Sequence, residues 1–297
     1  MKKLVLLDAH ALLHRAYHAL PPLSSPQGYP VNAVYGFLKM LFKLREDLAP
    51  DYLAVAFDTP KPTFRHQKFV GYQAKRPKMD EELADQISLA KEALVVMGIK
   101  KLEKEGFEAD DLLGTLAEKF KKGAEVFIVT GDRDLMQLVD KQVSLYFPQR
   151  GLSTPLLVKE KEVEKILGIK PEQVVDYKAL AGDSSDNYPG VAGVGPKTAQ
   201  KLLQEYGSLE QIYQNLAKIE PPSLREKLEK GREAAFLSQE LAMVRKDVPL
   251  RVKLDDFRFG NWEKKETEDF FKNLGFRSFL GQKKKKEKKN VNQARLF

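Results

Sequence analysis

Nine carboxylates are the residues of this chain whose types and spacing could do chemistry. Glu108, Asp110 and Asp111 open an expected helix, and Asp132 and Asp134 follow the apolar run Val126–Val129. Asp183 and Asp186 lie in Gly182-Asp183-Ser184-Ser185-Asp186-Asn187, while Asp8 and Asp58 each end a short apolar run. Like charges repel, so gathering them in one cleft is costly unless cations sit between them. Oxygen-only ligands suit hard ions such as Mg²⁺ or Mn²⁺ rather than Zn²⁺. Two such ions about 4 Å apart can activate water and stabilise the leaving oxygen in phosphodiester hydrolysis. Taken singly, an acid at a strand end or helix start is usually a cap or a solvated charge. The joint pattern of Glu-x-Asp-Asp, Asp-x-Asp and Asp-x-x-Asp favours the metal cleft.

The surrounding elements must bring these residues together. Leu4–Leu7 reads as a buried strand ending at Asp8, and Ala9–Leu20 as a helix stopped by Pro21-Pro22. Val31–Leu48 has helical periodicity, and Tyr52–Phe57 is a second strand ending at Asp58. Residues 60–80 carry Pro60, Pro62, Gly71 and Pro77 among many basic residues, as a loop or mobile insert would. Glu81–Met97 is helical up to Gly98, Ile99–Leu102 a short strand, and Glu108–Lys121 a helix. Glu125–Val129 and Val143–Phe147 are further strands. Strands alternating with helices predict a three-layer α/β/α domain with a mostly parallel sheet. In such sheets ligands gather beyond the carboxyl ends of the strands, where Asp8, Asp58 and Asp132 fall. Beyond about residue 160 the strand signal fades and short helices dominate.

The bulk properties narrow the partners. The chain has 297 residues, enough for one large domain or two. It has no apolar stretch of about 18 residues, so no membrane partner is expected. Met1-Lys2-Lys3-Leu4 resembles the start of a signal peptide, but Asp8 interrupts the apolar region, so a cytoplasmic location is expected. Without cysteine, disulfides, thiolate metal sites and cysteine nucleophiles are excluded. Of the net charge of +8, residues 283–297 carry +6 through seven Lys or Arg and one Glu. If the nine acids face bound cations, the rest of the body surface is basic, as suits a polyanion held by its backbone. The bland alternative is a solvated mixed-charge surface.

Other motifs fit the same picture. Gly190 to Ala199, with Gly193, Gly195, Lys197 and Thr198, is a Gly-rich turn leading into a helix. Its free N–H groups could grip a duplex phosphate, although an ordinary helix–turn–helix packing element would look similar. In the insert, Arg65, His66, Lys68, Lys75, Arg76 and Lys78 interleave with Phe64, Phe69 and Tyr72. Basic residues with aromatics suit an unpaired strand, and the bland alternative is a solvated loop. His10, His14 and His18 recur every four residues, so an adjacent pair could bind a transition metal. The three span about 12 Å and cannot share one ion. Arg15 lies on the same helix and can reach phosphate. Gln293-Ala294-Arg295-Leu296-Phe297 follows the lysine run, which should be disordered, and a Leu-Phe end can dock in an apolar groove.

With these residues in view, the chain resembles the 5′-nuclease (flap endonuclease) family, and within it the 5′–3′ exonuclease domain of bacterial DNA polymerase I. The likeness covers almost all of residues 1–282. Its most specific pieces are Glu108-Ala-Asp110-Asp111, Thr130-Gly131-Asp132-Arg133-Asp134, and Gly182 to Asn187 through Gly193 to Ala199. It implies a PIN-like nuclease domain at 1–170 with a helical arch near 65–95. It further implies a helical subdomain at 171–282 with a helix–hairpin–helix duplex grip and a K⁺ ion at the hairpin, followed by a tail at 283–297. By motif, Asp8, Asp58, Glu108, Asp110, Asp111, Asp132, Asp134, Asp183 and Asp186 would hold two Mg²⁺ directly or through water. Arg15 and Arg76 match positions contacting the scissile phosphate, Tyr72 matches the aromatic that opens the arch motif, and Arg65 and Lys68 would follow the DNA.

Two positions depart from the family pattern. Asp-Gly is usual after the first strand, and here it is Asp8-Ala9; a methyl group is tolerable if φ is negative there. The arch motif is usually Tyr-Lys-x-x-Arg, and here it is Tyr72-Gln73-Ala74-Lys75-Arg76. Gln donates a hydrogen bond but cannot neutralise charge, so Lys75 is the candidate substitute.

The expectation is a free-standing, monomeric, nucleoid-associated 5′ nuclease. It would remove 5′ flaps or RNA primers at single-strand/duplex junctions with Mg²⁺, or with Mn²⁺. Gln293, Leu296 and Phe297 resemble a sliding-clamp-binding peptide. The alternatives are a catalytically silent junction-binding protein and a PIN-type ribonuclease, and the latter would not need the duplex hairpin.

Overall fold

The computed structural model describes residues 1–148, 155–260, 262 and 264–280. The chain opens β1 (Lys2–Asp8), α1 (Ala9–Ala19), α2 (Asn32–Leu48), β2 (Tyr52–Ala56), α3 (Phe64–Lys68), α4 (Glu81–Met97) and β3 (Lys100–Leu102). It continues α5 (Ala109–Phe120), β4 (Ala124–Val129), β5 (Val143–Phe147) and β6 (Leu156–Val158). Helices α6 (Glu160–Leu167), α7 (Val174–Ala181), α8 (Pro196–Tyr206), α9 (Leu209–Gln214), α10 (Pro222–Lys230), α11 (Arg232–Ala242) and α12 (Lys265–Asn273) follow.

The sheet order is β3-β2-β1-β4-β5-β6, parallel throughout except for the antiparallel pair β5–β6. Central strand β1 shows why the sheet needs helices on both faces. Its four apolar residues alternate sides, as strand geometry requires. Leu4 and Leu6 enter a core with Leu112, Leu116, Val126 and Ile128. Val5 and Leu7 enter a second core with Leu12, Phe37, Leu41 and Leu94. Each fully buried leucine contributes roughly 1.5–3 kcal/mol of transfer free energy.

Helix α4 belongs to this second layer. Leu83, Ile87, Ala90, Leu94 and Met97 are buried at helical spacing. Gln86 is also buried and caps α2 from outside: its Oε1 accepts from Ala33 N at 2.7 Å, and its Nε2 donates to Asn32 Oδ1 at 3.1 Å. The expected arch over 65–95 is therefore corrected. Residues 81–97 are a core helix, because their apolar stripe has a sheet to cover.

Residues 64–76 form α3 and a series of turns folded against the helical half. Tyr72 packs there with Tyr188, Leu241 and Ala242. Helices α7 to α11 build that half. The end of the chain, expected with it, returns to the other side: Trp262, Phe271, Phe276 and Phe279 join the core of α2 and α4. Phe279 stacks on Phe42 and Tyr35, with centroids 5.0 and 5.2 Å away. This aromatic cluster explains the return, since it buries large apolar faces that α12 would otherwise expose. Among the described residues, no helix is long and apolar enough to cross a membrane.

Candidate active site

Parallel strands deliver three acids to one edge. Asp8 ends β1 and caps α1, accepting from Ala11 N at 3.1 Å and from Thr130 Oγ1 at 2.9 Å. Ala9 is the first residue of α1, so the methyl in place of glycine sits in helical backbone. Asp58, two residues past β2, accepts from Ala109 N at 2.7 Å and so fixes the start of α5. Asp132 follows β4; its N–H donates to Thr130 Oγ1 and its Oδ1 accepts from Asp134 N at 2.8 Å.

Helix α5 adds Glu108 as its cap and Asp110 in its first turn. The hairpin between α7 and α8 adds Asp183 and Asp186. Tyr72 ties the halves together: its hydroxyl lies 3.2 Å from both Glu108 Oε2 and Asp186 Oδ2. Lys178 of α7 does the same from below, pairing with Asp134 Oδ1 at 2.6 Å and with Asp183. Arg76 pairs with Asp186 at 2.5 Å.

The electrostatics follow from this crowding. Lost hydration and neighbouring carboxylates push Asp8, Glu108 and Asp134 up to about 7. Asp110 is raised well above the ordinary range by burial and then by Asp132, Asp8, Asp58 and Glu108. Asp132 is raised chiefly by burial. Burial works against Asp183 too, yet hydrogen bonds from Lys178 and Ser185 hold it below the ordinary range. Mutual influences chain the other eight acids together, and Asp111 also acts on Glu108. Among the described residues, only Lys178, Arg76, one edge of Arg65 and His10 approach these eight carboxylates within ion-pair distance.

That excess of anionic oxygen fits hard divalent cations, the role oxygen-only donor sets serve. Among the described residues, no group of three or more His, Cys, Asp or Glu side chains is placed to hold a metal ion as they stand. Asp8 is buried, while Asp58, Glu108, Asp110, Asp132, Asp134, Asp183 and Asp186 keep part of their surface exposed.

Several expectations need correction. Asp111 does not face the cleft. It is fully buried, its oxygens take both terminal nitrogens of Arg65 at 2.8 Å, and it also accepts from Arg245 N and Glu108 N. Arg65, expected along the DNA, is only 2 % exposed, and its Nε and Nη2 also reach Leu241 O and Met243 O. Gly190 is equally unavailable. A side chain there would meet Gly182 N at 2.2 Å, so the residue exists to let the two arms of the hairpin cross. Tyr72 is 3 % exposed and acts through the two carboxylates it bridges.

The remaining residues stay at the surface. Gly193, Gly195 and Lys197 are exposed and Thr198 half-buried, where α8 begins. Lys68 is exposed and paired with Glu240. Arg15 is half-buried on α1, with no ion pair among the described residues. Lys75 is exposed and lines a cavity of about 500 Å³ with Phe69, Asp183, Asn187 and Tyr188. Gln73 sits beside it in left-handed backbone (φ 54°), its N–H donating to Asp186 O at 2.8 Å. Gln293, Leu296 and Phe297 lie outside the described residues.

Sequence reading missed Lys178, Thr130 and Thr63. Thr63 Oγ1 donates to Glu108 Oε1 at 3.1 Å. Lys178 carried one signal: it is the single cation in the otherwise apolar or acidic Val174–Ala181.

Comparison with known proteins agrees with this architecture. Residues 3–168 match a family model described as the 5′-3′ exonuclease N-terminal resolvase-like domain. Residues 169–265 match the 5′-3′ exonuclease C-terminal SAM fold. DNA polymerase I of Caldicellulosiruptor bescii is 44% identical over 281 residues, covering 94% of this chain and 33% of the relative. The thermostable DNA polymerase I of Thermus thermophilus is 45% identical over 280 residues, covering 94% and 32%. The chain thus spans about a third of the length of these relatives. Among solved structures, T5 5′-exonuclease with bound zinc superposes with a TM-score of 0.71 at 20% identity, covering 92% of this chain and all of that one. The catalytic core of Rad2 in complex with DNA substrate gives 0.61 at 18% identity, covering 92% and 88%. At these identities the two structures speak for the fold.

Proposed function

The chain belongs to the 5′–3′ exonuclease family, and we propose that it is a metal-dependent structure-specific nuclease cutting DNA, or RNA primers, near 5′ single-strand/duplex junctions. The observation that carries this reading is the cleft of eight carboxylates, three of them pushed up to about 7, with too few protein cations to balance them. Asp8, Asp58, Glu108, Asp110 and Asp132 would hold one Mg²⁺ or Mn²⁺, directly or through water. Asp134, Asp183 and Asp186 would hold a second. When bound, the metals supply Lewis acidity and lower the pKa of water.

The chain's own side chains do the rest. Thr130 and the N–H of Ala11 aim Asp8, while Tyr72 holds Glu108 and Asp186 in one frame. Arg15, Arg76 and Lys75 supply positive charge to the scissile phosphate. The exposed turn Gly193–Thr198 grips the duplex backbone, with K⁺ bound at the hairpin. T5 5′-exonuclease with bound zinc and the catalytic core of Rad2 in complex with DNA substrate support this assignment. We also propose that Gln293, Leu296 and Phe297 dock on a sliding clamp. A fluorescence titration showing equal clamp binding with and without residues 290–297 would exclude that.

The direct test incubates 5′-labelled flap, nicked and single-stranded substrates with Mg²⁺ or EDTA. Mg²⁺-dependent cleavage near the junction is expected. No Mg²⁺-dependent cleavage of any substrate would sink the nuclease reading.

A further inference from the structure

The histidine run on α1 is the motif that the carboxylate cleft leaves unused. His10 turns inward, where its Nδ1 accepts the Asp58 N–H at 3.1 Å. His14 and His18 stay exposed, one helical turn apart. Their Nε2 atoms lie 3.1 Å from each other, with ring centroids 4.3 Å apart and planes inclined at 61°. Without a metal, such a contact requires one nitrogen to carry the proton and the other to offer its lone pair. Two imidazolium rings would repel.

The same spacing is what two adjacent nitrogens adopt on one cation. Metal–nitrogen bonds of about 2.0–2.1 Å place cis nitrogens about 2.9 Å apart in an octahedral shell and about 3.4 Å apart in a tetrahedral one. The observed separation lies between these values. Both rings are open to solvent, so water can complete the shell. Asp80 lies close enough to His14 to act on its charge, and Tyr17 beside it reaches Glu82 at 3.4 Å, so the surroundings include acids as well as Arg76. No third His, Asp or Glu among the described residues closes on the pair. The site is therefore an open two-ligand one.

We propose that His14 and His18 bind one late first-row divalent cation, such as Ni²⁺, Cu²⁺ or Zn²⁺, at a site chemically distinct from the carboxylate cleft. Imidazole suits these ions, whereas Mg²⁺ and Mn²⁺ prefer the oxygens of the cleft. The i,i+4 spacing on a regular helix holds both ligands in place without any change in the fold. This inference is independent of the nuclease reading.

The test is a calorimetric titration of the untagged chain with Ni²⁺ under saturating Mg²⁺, which keeps the cleft filled. Wild type should bind one more equivalent of Ni²⁺ than His14→Ala or His18→Ala, and both variants should keep the wild-type melting temperature. Co²⁺ should give visible ligand-field bands in wild type that both substitutions remove. Equal Ni²⁺ stoichiometry in wild type and either variant would overturn the site, as would no binding by wild type.

Discussion

Arg65 and Asp111 form a buried, two-pronged ion pair, both N–O distances 2.8 Å, that joins α3 to the first turn of α5. Around it, Arg245 N and Glu108 N saturate the remaining carboxylate lone pairs, Leu241 O and Met243 O take two more guanidinium hydrogens, and Nη1 also lies 3.3 Å from Glu108 Oε2. The pair thus fastens the start of the insert, α5 and the exit of α11. Removing one partner leaves an uncompensated buried charge, which costs about 3–5 kcal/mol. Arg65→Ala and Asp111→Ala should each lose stability of that order in urea unfolding. A loss below about 1 kcal/mol in both would show that the pair is peripheral.

Asp110 should behave in the opposite way. It has no hydrogen-bond donor from the protein among the described residues and is raised by burial and by four acidic neighbours. Asp110→Asn removes repulsion without orphaning a partner. Metal-free Asp110→Asn should melt about 2–4 °C above wild type, the shift expected for about 1 kcal/mol at this size. Its Mg²⁺-dependent cleavage should vanish. A variant less stable than wild type and still active would reverse the assignment of Asp110 as a functional acid.

Much of this was legible in the sequence, and the reasons divide cleanly. Strand ends are local properties: an apolar run followed by an acid places Asp8, Asp58 and Asp132 on one edge once the sheet is parallel. The two acids of the Glu-x-Asp-Asp motif could not be separated that way. Asp110 and Asp111 are neighbours, but successive helix positions point about 100° apart. Only the position of Arg65 shows which one faces the cleft. Arg65 itself was misread because its charge suggested solvent, whereas a partner distant in sequence buries it. Lys178 was missed for the same reason: its meaning depends on Asp134, 44 positions earlier in the chain.

The raised carboxyls give a pH signature. Asp8, Glu108 and Asp134 titrate near 7 in the fold and near 4 when unfolded, so the native state binds more protons between those values. Stability contributed by their protonated forms is complete below about pH 4 and lost as pH rises through about 7. Asp183 and Asp140 have lowered pKa values and act mainly below about pH 4. His10, His14 and His66 are lowered from 6.5 by burial and pull the other way below about pH 6.5, so in EDTA the melting temperature should fall from about pH 6.5 to pH 8. Mg²⁺ should flatten or reverse that fall, because binding requires the deprotonated carboxylates. Identical profiles with and without Mg²⁺ would contradict the metal assignment.

Lys75, rather than Gln73, should carry the positive charge of the insert. Lys75 lines the cavity beside Asp183, while the backbone of Gln73 is engaged with Asp186. Lys75→Ala should slow single-turnover cleavage on the order of a hundredfold with unchanged melting, the usual effect of removing one charge from a transition state. Gln73→Ala should cost much less. The reverse order would return the role to position 73.

If the acid cleft cuts and other surfaces bind, the two functions can be separated. Asp134 separates the two, because it is paired with Lys178 among the acids, whereas Gly193, Gly195 and Lys197 of the turn before α8 are exposed. The decisive measurement follows 5′-flap cleavage and junction binding by anisotropy for wild type and Asp134→Asn in Mg²⁺. Cleavage should be abolished in the variant while its affinity for the junction stays within a few fold of wild type. Full cleavage by Asp134→Asn would contradict the account.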